Sequence, residues 1–164
     1  METPKPRRMK KIYFFSIGVL FSFLFLGCSK DFLKRYEDRI EGVWDLVDVD
    51  RIGFNGSTSG LPFRDGRFTF SDGGSLQYVS MGGDTLKGSW NIRKRWMTGN
   101  CYTDDNGNYS CEDRNVRSMQ ITAINFLTQD VRSEYFDEIK FTGTDRFKAF
   151  IYSGFSTYVF RFKR

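Results

Sequence analysis

The residues of this chain that could do chemistry are carboxylates, tyrosines and cysteines, because its 164 residues include no histidine. That absence excludes Ser-His and Cys-His nucleophilic sites and every zinc site with a His ligand. Carboxylate chemistry stays open. Two acidic groups are dense enough to consider, residues 104–108 and the trio Glu134, Asp137 and Glu138.

Residues 104–108 read Asp-Asp-Asn-Gly-Asn, which superficially resembles a calcium-binding loop. An EF-hand loop also needs a Glu at its twelfth position and flanking helices, and the sequence supplies neither. Turn chemistry accounts for every residue of the stretch, since Asp, Asn and Gly all favour tight turns. The sequence therefore predicts a hairpin turn here and no metal site.

Cys101 and Cys111 flank that turn. A three-residue hairpin loop over 105–107 puts Gly107 in the left-handed position that a type I turn with a G1 bulge requires. Counting outward from this loop brings Cys101 directly opposite Cys111. The register therefore predicts a disulfide, and closing so short a loop would stabilise the fold by about 3 kcal/mol on chain-entropy grounds.

Glu134, Asp137 and Glu138 could supply the carboxylate pair that glycoside hydrolysis uses. The alternative, which we favour, is a solvated acidic strand entry beside Lys140. No glycine-rich loop follows a strand into a helix, so a nucleotide site is not expected. The sequence predicts a non-catalytic protein without cofactor or metal.

Short β-strands must position these residues, because apolar residues alternate with polar ones along the chain after Gly42. Eight or nine such strands with tight turns predict an all-β fold, an up-and-down antiparallel barrel of about eight strands. The first strand, 42–49, is expected to bulge near Leu46 and to lie beside the last strand, 157–163, in a closed barrel. Polar residues 128–134 are interpreted as a connecting turn.

The N-terminus has the order of a secretory signal, with basic residues before an uncharged run over 12–27 that is rich in Phe, Leu and Ile. The alternative is an uncleaved membrane helix, since the uncharged run approaches the ~20 residues that a spanning helix needs. Residues 1–27 hold five Lys or Arg and one Glu, so the remainder carries 20 basic and 19 acidic residues. No electrostatic footprint for nucleic acid remains.

Leu26-Gly27-Cys28 resembles the lipobox of bacterial lipoproteins. The resemblance implies a signal peptide over 1–27, a lipidated Cys28 that anchors the protein in the membrane, a tether over 28–41 and a domain over 42–164. It places the protein in the cell envelope, as an outer-membrane lipoprotein facing the periplasm or the surface, where disulfides persist. The tether is either a solvated linker or a short helix that caps the domain.

Several strand motifs resemble the lipocalin-like domain of small Gram-negative lipoproteins. They are Gly42-x-Trp44, Phe68-x-Phe70 before Asp72-Gly73, Gly88-Ser89-Trp90, and the closing Tyr158-x-Phe160-x-Phe162-Lys163. The resemblance implies an up-and-down barrel, often with an interior large enough for a ligand.

Two functions are open at this point. One is a binding module that holds a small apolar or glycan-derived ligand. The other is a structural or accessory lipoprotein docked on an outer-membrane protein complex. Tyr102, Tyr152 and Tyr158 are the candidate contacts for either, because each offers a ring and a hydroxyl near a predicted strand end. An interior filled by aromatic rings favours the second function, and an open one favours the first.

Overall fold

A computed structural model describes residues 34–53, 57–99, 101–104, 106–154 and 156–164 of the chain. These residues form an all-β domain with one short helix, which confirms the predicted class. The predicted signal peptide and Cys28 lie outside them. In the part of the chain that the structure describes, no helix is both long and apolar enough to cross a membrane.

The helix and strands follow one another along the chain with short connections. The helix is α1 (Tyr36–Ile40), and a single 3₁₀ turn covers Asp72–Gly74. The strands are β1 (Gly42–Gly53), β2 (Arg67–Ser71), β3 (Ser75–Val79), β4 (Thr85–Met97), β5 (Cys101–Thr103), β6 (Tyr109–Cys111), β7 (Arg114–Ile124), β8 (Val131–Phe136), β9 (Glu138–Phe141), β10 (Arg146–Ser153) and β11 (Ser156–Lys163).

Nine strands form one antiparallel sheet in the order β8-β7-β4-β3-β2-β1-β11-β10-β9, and β5 pairs with β6 separately. The up-and-down connectivity and the predicted pairing of the first strand with the last are both confirmed. The predicted count of about eight strands is wrong, because polar residues 128–134 include the start of β8. The described ladder also ends at β8 and β9, so no hydrogen-bonded closure joins its two edges.

The predicted bulge in β1 is confirmed, since the pairing with β11 shifts register between Leu46 and Asp48. The extra residue turns Val47 out to solvent, where it is 59% exposed, and returns Val49 to the side that packs on the core. The bulge therefore keeps both halves of this long strand facing the same interior.

Aromatic rings fill the inner face of the sheet. Trp44 is fully buried, and its indole nitrogen donates to the carbonyl of Ile40 at 2.6 Å. The ring of Phe147 lies 4.7 Å from that of Trp44 and 4.3 Å from that of Phe162. Other rings buried to the same degree are those of Phe63, Phe68, Phe70, Tyr78, Phe136 and Phe160.

Helix α1 caps one end of this core. Ile40 is fully buried, and the ring of Tyr36 packs edge-on against Phe141 at 5.4 Å. Glu37 and Asp38 between them are exposed, and the guanidinium of Arg39 lies over the Phe141 ring at 3.9 Å, as in an amphipathic turn lying on a core. We call this end of the sheet, which also holds the β2–β3 turn and the C-terminus, the helix end.

The β5–β6 hairpin has the predicted register, with Cys101 opposite Cys111 and the two sulfurs bonded. The amide of Asp104 donates to the carbonyl of Asn108 at 2.9 Å, and Gly107 has a φ of 85°. The side chain of Asp104 accepts hydrogen bonds from Asn108 and Asn106, which lowers the pKa of its carboxyl. This acid stabilises the turn.

Candidate functional site

A second buried layer lies on the outer face of the sheet, opposite the aromatic core. Its apolar members are buried but do not belong to the core cluster: Met97, Tyr102, Val116, Phe150 and Val159. The hairpin helps to cover this face, since the hydroxyl of Thr157 on β11 donates to the carbonyl of Thr103 on β5 at 2.6 Å. We call these side chains and the polar groups among them the outer layer.

An ion pair links β7 to β9 within the outer layer. The guanidinium of Arg114 lies 2.6 Å from the carboxylate of Glu138, which is only 4% exposed. The hydroxyl of Tyr152 donates to the same carboxylate at 2.6 Å, and the ammonium of Lys140 lies 3.3 Å away. Burial, and then the hydrogen bond to Glu138, raise the pKa of Tyr152.

This geometry overturns the interpretation of Glu138 as part of a solvated strand entry. Strand alternation puts Ile139 on the core side and Glu138 on the outer face, where neighbouring side chains bury it. A buried carboxylate requires cationic partners, and Arg114 and Lys140 supply them. The arrangement stabilises a fixed charge.

The trio of carboxylates does not converge on one site. Asp137 accepts hydrogen bonds from the guanidinium of Arg95 at 3.2 Å and from the backbone amide of Tyr152 at 2.9 Å. Glu134 belongs to β8, and burial raises the pKa of its carboxyl. Among the described residues, no group of three or more acidic or Cys side chains could hold a metal ion.

The structure brings two of the three candidate tyrosines together. The rings of Tyr102 and Tyr152 are 5.2 Å apart, and the Arg114 guanidinium lies 3.9 Å from the centroid of Tyr102. The Tyr102 hydroxyl donates to Glu112 at 2.9 Å. Burial, and then this hydrogen bond, raise the pKa of Tyr102. Both hydroxyls therefore already have carboxylate partners.

Tyr158 lies on the opposite face of the sheet. It is partly buried against the aromatic core, and the guanidinium of Arg51 lies 5.5 Å from its ring centroid. The three tyrosines thus do not line one shared opening, although all three lie near strand ends as the sequence predicted.

A polar groove that the sequence did not reveal lies at the other end of the sheet from α1. We call this the groove end. The cavity measures about 580 Å³, and its lining comes from the β1–β2 loop and the β3–β4 and β7–β8 turns. Charged groups of the lining are Arg64, Asp65, Asp84, Asp130 and Arg132.

Phe63 separates this groove from the interior. Its ring is fully buried and packs at 5.0 Å against Tyr78, whose hydroxyl donates to Asp65 at 3.3 Å. Burial, and then the charge of Asp65, raise the pKa of Tyr78 to about 12. The only sequence signal for this feature was a long loop with an isolated Phe.

Two apolar turns also project from the groove end. Phe126 and Leu127 in the β7–β8 turn are 66% and 94% exposed, and Met81 in the β3–β4 turn is 84% exposed. The side chain of Asn125 accepts a hydrogen bond from the amide of Leu127 at 2.9 Å. Its backbone pairs with Asp130 across the turn at 2.8 Å. The turn is thus held in one conformation while its apolar side chains stay in water.

In comparisons with known proteins, no family model, no curated protein and no solved structure matches this chain.

Proposed function

We propose that this chain is a non-catalytic lipoprotein, anchored through a lipid on Cys28, that serves as a structural or accessory subunit of an outer-membrane protein complex. The proposal includes a lipocalin-like domain. Its support is the up-and-down antiparallel order with β1 paired to β11, together with the Gly-x-Trp and aromatic strand motifs.

The aromatic interior carries this proposal. A lipocalin-type binding protein needs space for a ligand inside the sheet. Here the ring of Phe147 meets Trp44 edge-to-face and stacks on Phe162, and Phe63 packs over the groove end of the same core. Rings at contact distance fill the space between them, as in an ordinary close-packed core. The surface is therefore the better candidate for recognition.

The two apolar turns give that surface a location. Large apolar side chains on an ordered turn are unfavourable in water, and burying them against a partner would be favourable. Phe126 and Leu127 lie on one turn, and Met81 lies on another at the same end. Exposed apolar side chains with polar residues around them are typical of protein interfaces.

Copurification from native membranes tests the proposal. The full-length chain, tagged at its C-terminus, is cross-linked in cells and isolated in detergent. We expect a specific envelope protein to copurify, and we expect Phe126→Ser/Leu127→Ser to lose it. The control is Val43→Thr/Val47→Thr, which removes two apolar side chains that are 48% and 59% exposed on β1. A partner lost equally in both variants, or none with the native chain, contradicts docking through these turns.

The groove supports a second candidate function, binding of a glycan-derived ligand. Its carboxylates can accept hydrogen bonds from sugar hydroxyls, and its guanidinium groups can donate hydrogen bonds to them. The volume of the groove suits one small ligand. Calorimetry with soluble envelope glycan fragments tests this candidate, and Arg132→Gln should weaken binding. Heat changes identical to those of buffer would remove it.

Contact of Tyr102, Tyr152 and Tyr158 with a ligand or partner stays a prediction. Replacing each by Ala distinguishes the two roles, since a ligand site loses affinity for the small molecule and a docking site loses the partner. Unchanged binding in folded variants would make them ordinary structural aromatics.

A further inference from the structure

Cations without acidic partners gather on β4 and β7 towards the helix end. Lys94 lies directly opposite Arg117 in the β4–β7 ladder, and like charges in that relation are destabilising. Arg93 precedes Lys94 and is exposed on the opposite face of β4, because successive residues of a strand alternate between its two faces. Among the described residues, none of these three cations forms an ion pair, although Arg117 also lies 5.3 Å from the ring of Tyr36.

Several other cations in the described sheet are matched with acids. Arg67 pairs with Asp45 at 2.7 Å, Arg132 pairs with Asp130 at 3.0 Å, and Arg161 pairs with Asp48. The neighbouring Arg95 pairs with Asp137. Lys94 and Arg117, which share one face of the β4–β7 ladder, have no such acidic partner among the described residues, and we call these two cations the basic patch.

An exposed tryptophan adjoins the basic patch. Trp96 is 56% exposed, whereas Trp44 and Trp90 are 0% and 6% exposed. It follows Arg93, Lys94 and Arg95 at the end of β4. An amphipathic indole beside several cations is the combination found where proteins meet lipid headgroups, because the ring suits the interface and the cations attract anionic lipids.

The proposed anchor would hold this patch close to a bilayer. Six residues lie between Cys28 and Arg35, so the start of the domain lies at most about 25 Å from a lipidated Cys28. Helix α1 follows at once, and its Tyr36 touches Arg117 of the patch. The helix also carries Glu37 and Asp38, of which Asp38 is paired with Arg35 at 3.6 Å.

We infer that the basic patch and Trp96 dock the helix end of the domain onto anionic phospholipid headgroups. This inference rests on the proposed lipid anchor. The short tether supplies proximity, the unpaired cations supply attraction, and the indole supplies interfacial contact. In this orientation the groove end and its apolar turns point away from the bilayer, where a protein partner can reach them.

Fluorescence quenching by headgroup-labelled lipid tests the inference. The acylated full-length protein is reconstituted into vesicles of phosphatidylcholine, with or without phosphatidylglycerol, that contain a trace of spin-labelled lipid. Emission from Trp96 should be quenched on the anionic vesicles and much less on the neutral ones. Trp96→Phe should remove the quenched signal, since Trp44 and Trp90 are buried.

Charge variants locate the effect. Lys94→Gln/Arg117→Gln should reduce the equilibrium constant for docking of the domain about fivefold per cation removed. The matched control is Arg64→Gln/Lys87→Gln, which removes two exposed cations, Lys87 lying towards the opposite end of the same strand. The control should keep the quenching, and both variants should keep the native near-ultraviolet circular dichroism.

Each outcome decides between docking and anchoring. Equal quenching on neutral and anionic vesicles, or an equal loss in the control, overturns docking through the patch. Absent quenching in protein whose acylated Cys28 is verified by mass spectrometry also overturns it and leaves the anchor intact. An unmodified Cys28 in protein from native membranes removes both proposals. Protection of Trp96 in native membranes but not in vesicles assigns the patch to a protein partner instead.

Discussion

The two faces of the sheet are both buried, but different interactions hold them. The inner face is filled by rings such as Trp44 and Phe147, and the outer layer is built around Arg114, Glu138 and Tyr152. Strand β10 contributes to both, with Phe147 inward and Tyr152 outward. Burial of rings is non-directional, whereas burial of charge requires each partner in place. The inner face should therefore be destabilised most by removing side-chain volume. The outer layer should be destabilised most by removing one partner of a charged or hydrogen-bonded pair.

Truncating a core ring should give the largest effect. Phe147→Ala removes a ring that touches Trp44, Phe141 and Phe162, and should destabilise the domain by about 3–5 kcal/mol. Urea unfolding measures the loss. The control Phe126→Ala, at a 66% exposed ring, should stay within ~0.5 kcal/mol. Similar losses in both would mean that the inner rings are not a close-packed core.

Removing the disulfide should come next. Cys101→Ser/Cys111→Ser frees the hairpin and should cost about 3 kcal/mol, because the unfolded chain loses its cross-link. The contrast between faces predicts where the change appears. Hydrogen exchange should accelerate in β5 and β6, while β2 and β3 keep their relative protection. Uniform acceleration across the sheet would contradict an independent outer layer.

Breaking the buried ion pair should have a smaller effect. Arg114→Met leaves Glu138 with the Tyr152 hydroxyl and Lys140, and should cost about 2–3 kcal/mol, less than the loss of a partner from a fully buried pair because these two partners remain. Adding Glu138→Leu should recover most of this loss, since apolar residues of similar volume can replace a buried pair. A double variant that is less stable than Arg114→Met would show that the pair itself holds β7 to β9.

Titration of tyrosines gives the subtlest comparison. Tyr78 on the inner face should ionise near pH 12, and Tyr152 should resist ionisation because of burial and the Glu138 carboxylate. Because tyrosines of the unfolded chain ionise near pH 10, the stability that these two tyrosines contribute should be constant below that pH and fall as pH rises above it. Phenolate absorbance of Tyr78→Phe and Tyr152→Phe variants assigns each step. Normal ionisation of both near pH 10 would contradict their burial.

Local sequence rules were sufficient for the inner face and the hairpin. Apolar residues alternate with polar ones through Leu86, Trp90 and Ile92 of β4, and the side chains of all three pack on the core. The β1 bulge and the opposition of Cys101 and Cys111 followed from spacing alone. Each of these features depends on residues that lie close together in the chain. Their spacing in a single sequence is therefore enough to predict them.

The outer layer and the groove could not be predicted in the same way. Glu138 reads as a surface acid because its partner Arg114 is 24 residues away and its cover comes from elements outside the main ladder. Residues 128–134 read as a turn because β8 is an edge strand, with Arg132 and Glu134 among its residues. The groove needs three separate connections to meet at one end, and periodicity within a strand does not encode that meeting.

The position of Asp137 between two edge strands bears on how readily the protein aggregates in concentrated solution. Asp137 alone separates β8 from β9, the two outermost strands of the ladder, and its amide donates to the carbonyl of Phe150 at 2.8 Å. An open sheet edge is a template onto which another chain can add a strand. Here both edges belong to one continuous segment, and the amide of Asp137 ties that segment to β10. We therefore expect this link through Asp137 to limit edge-to-edge aggregation of the sheet.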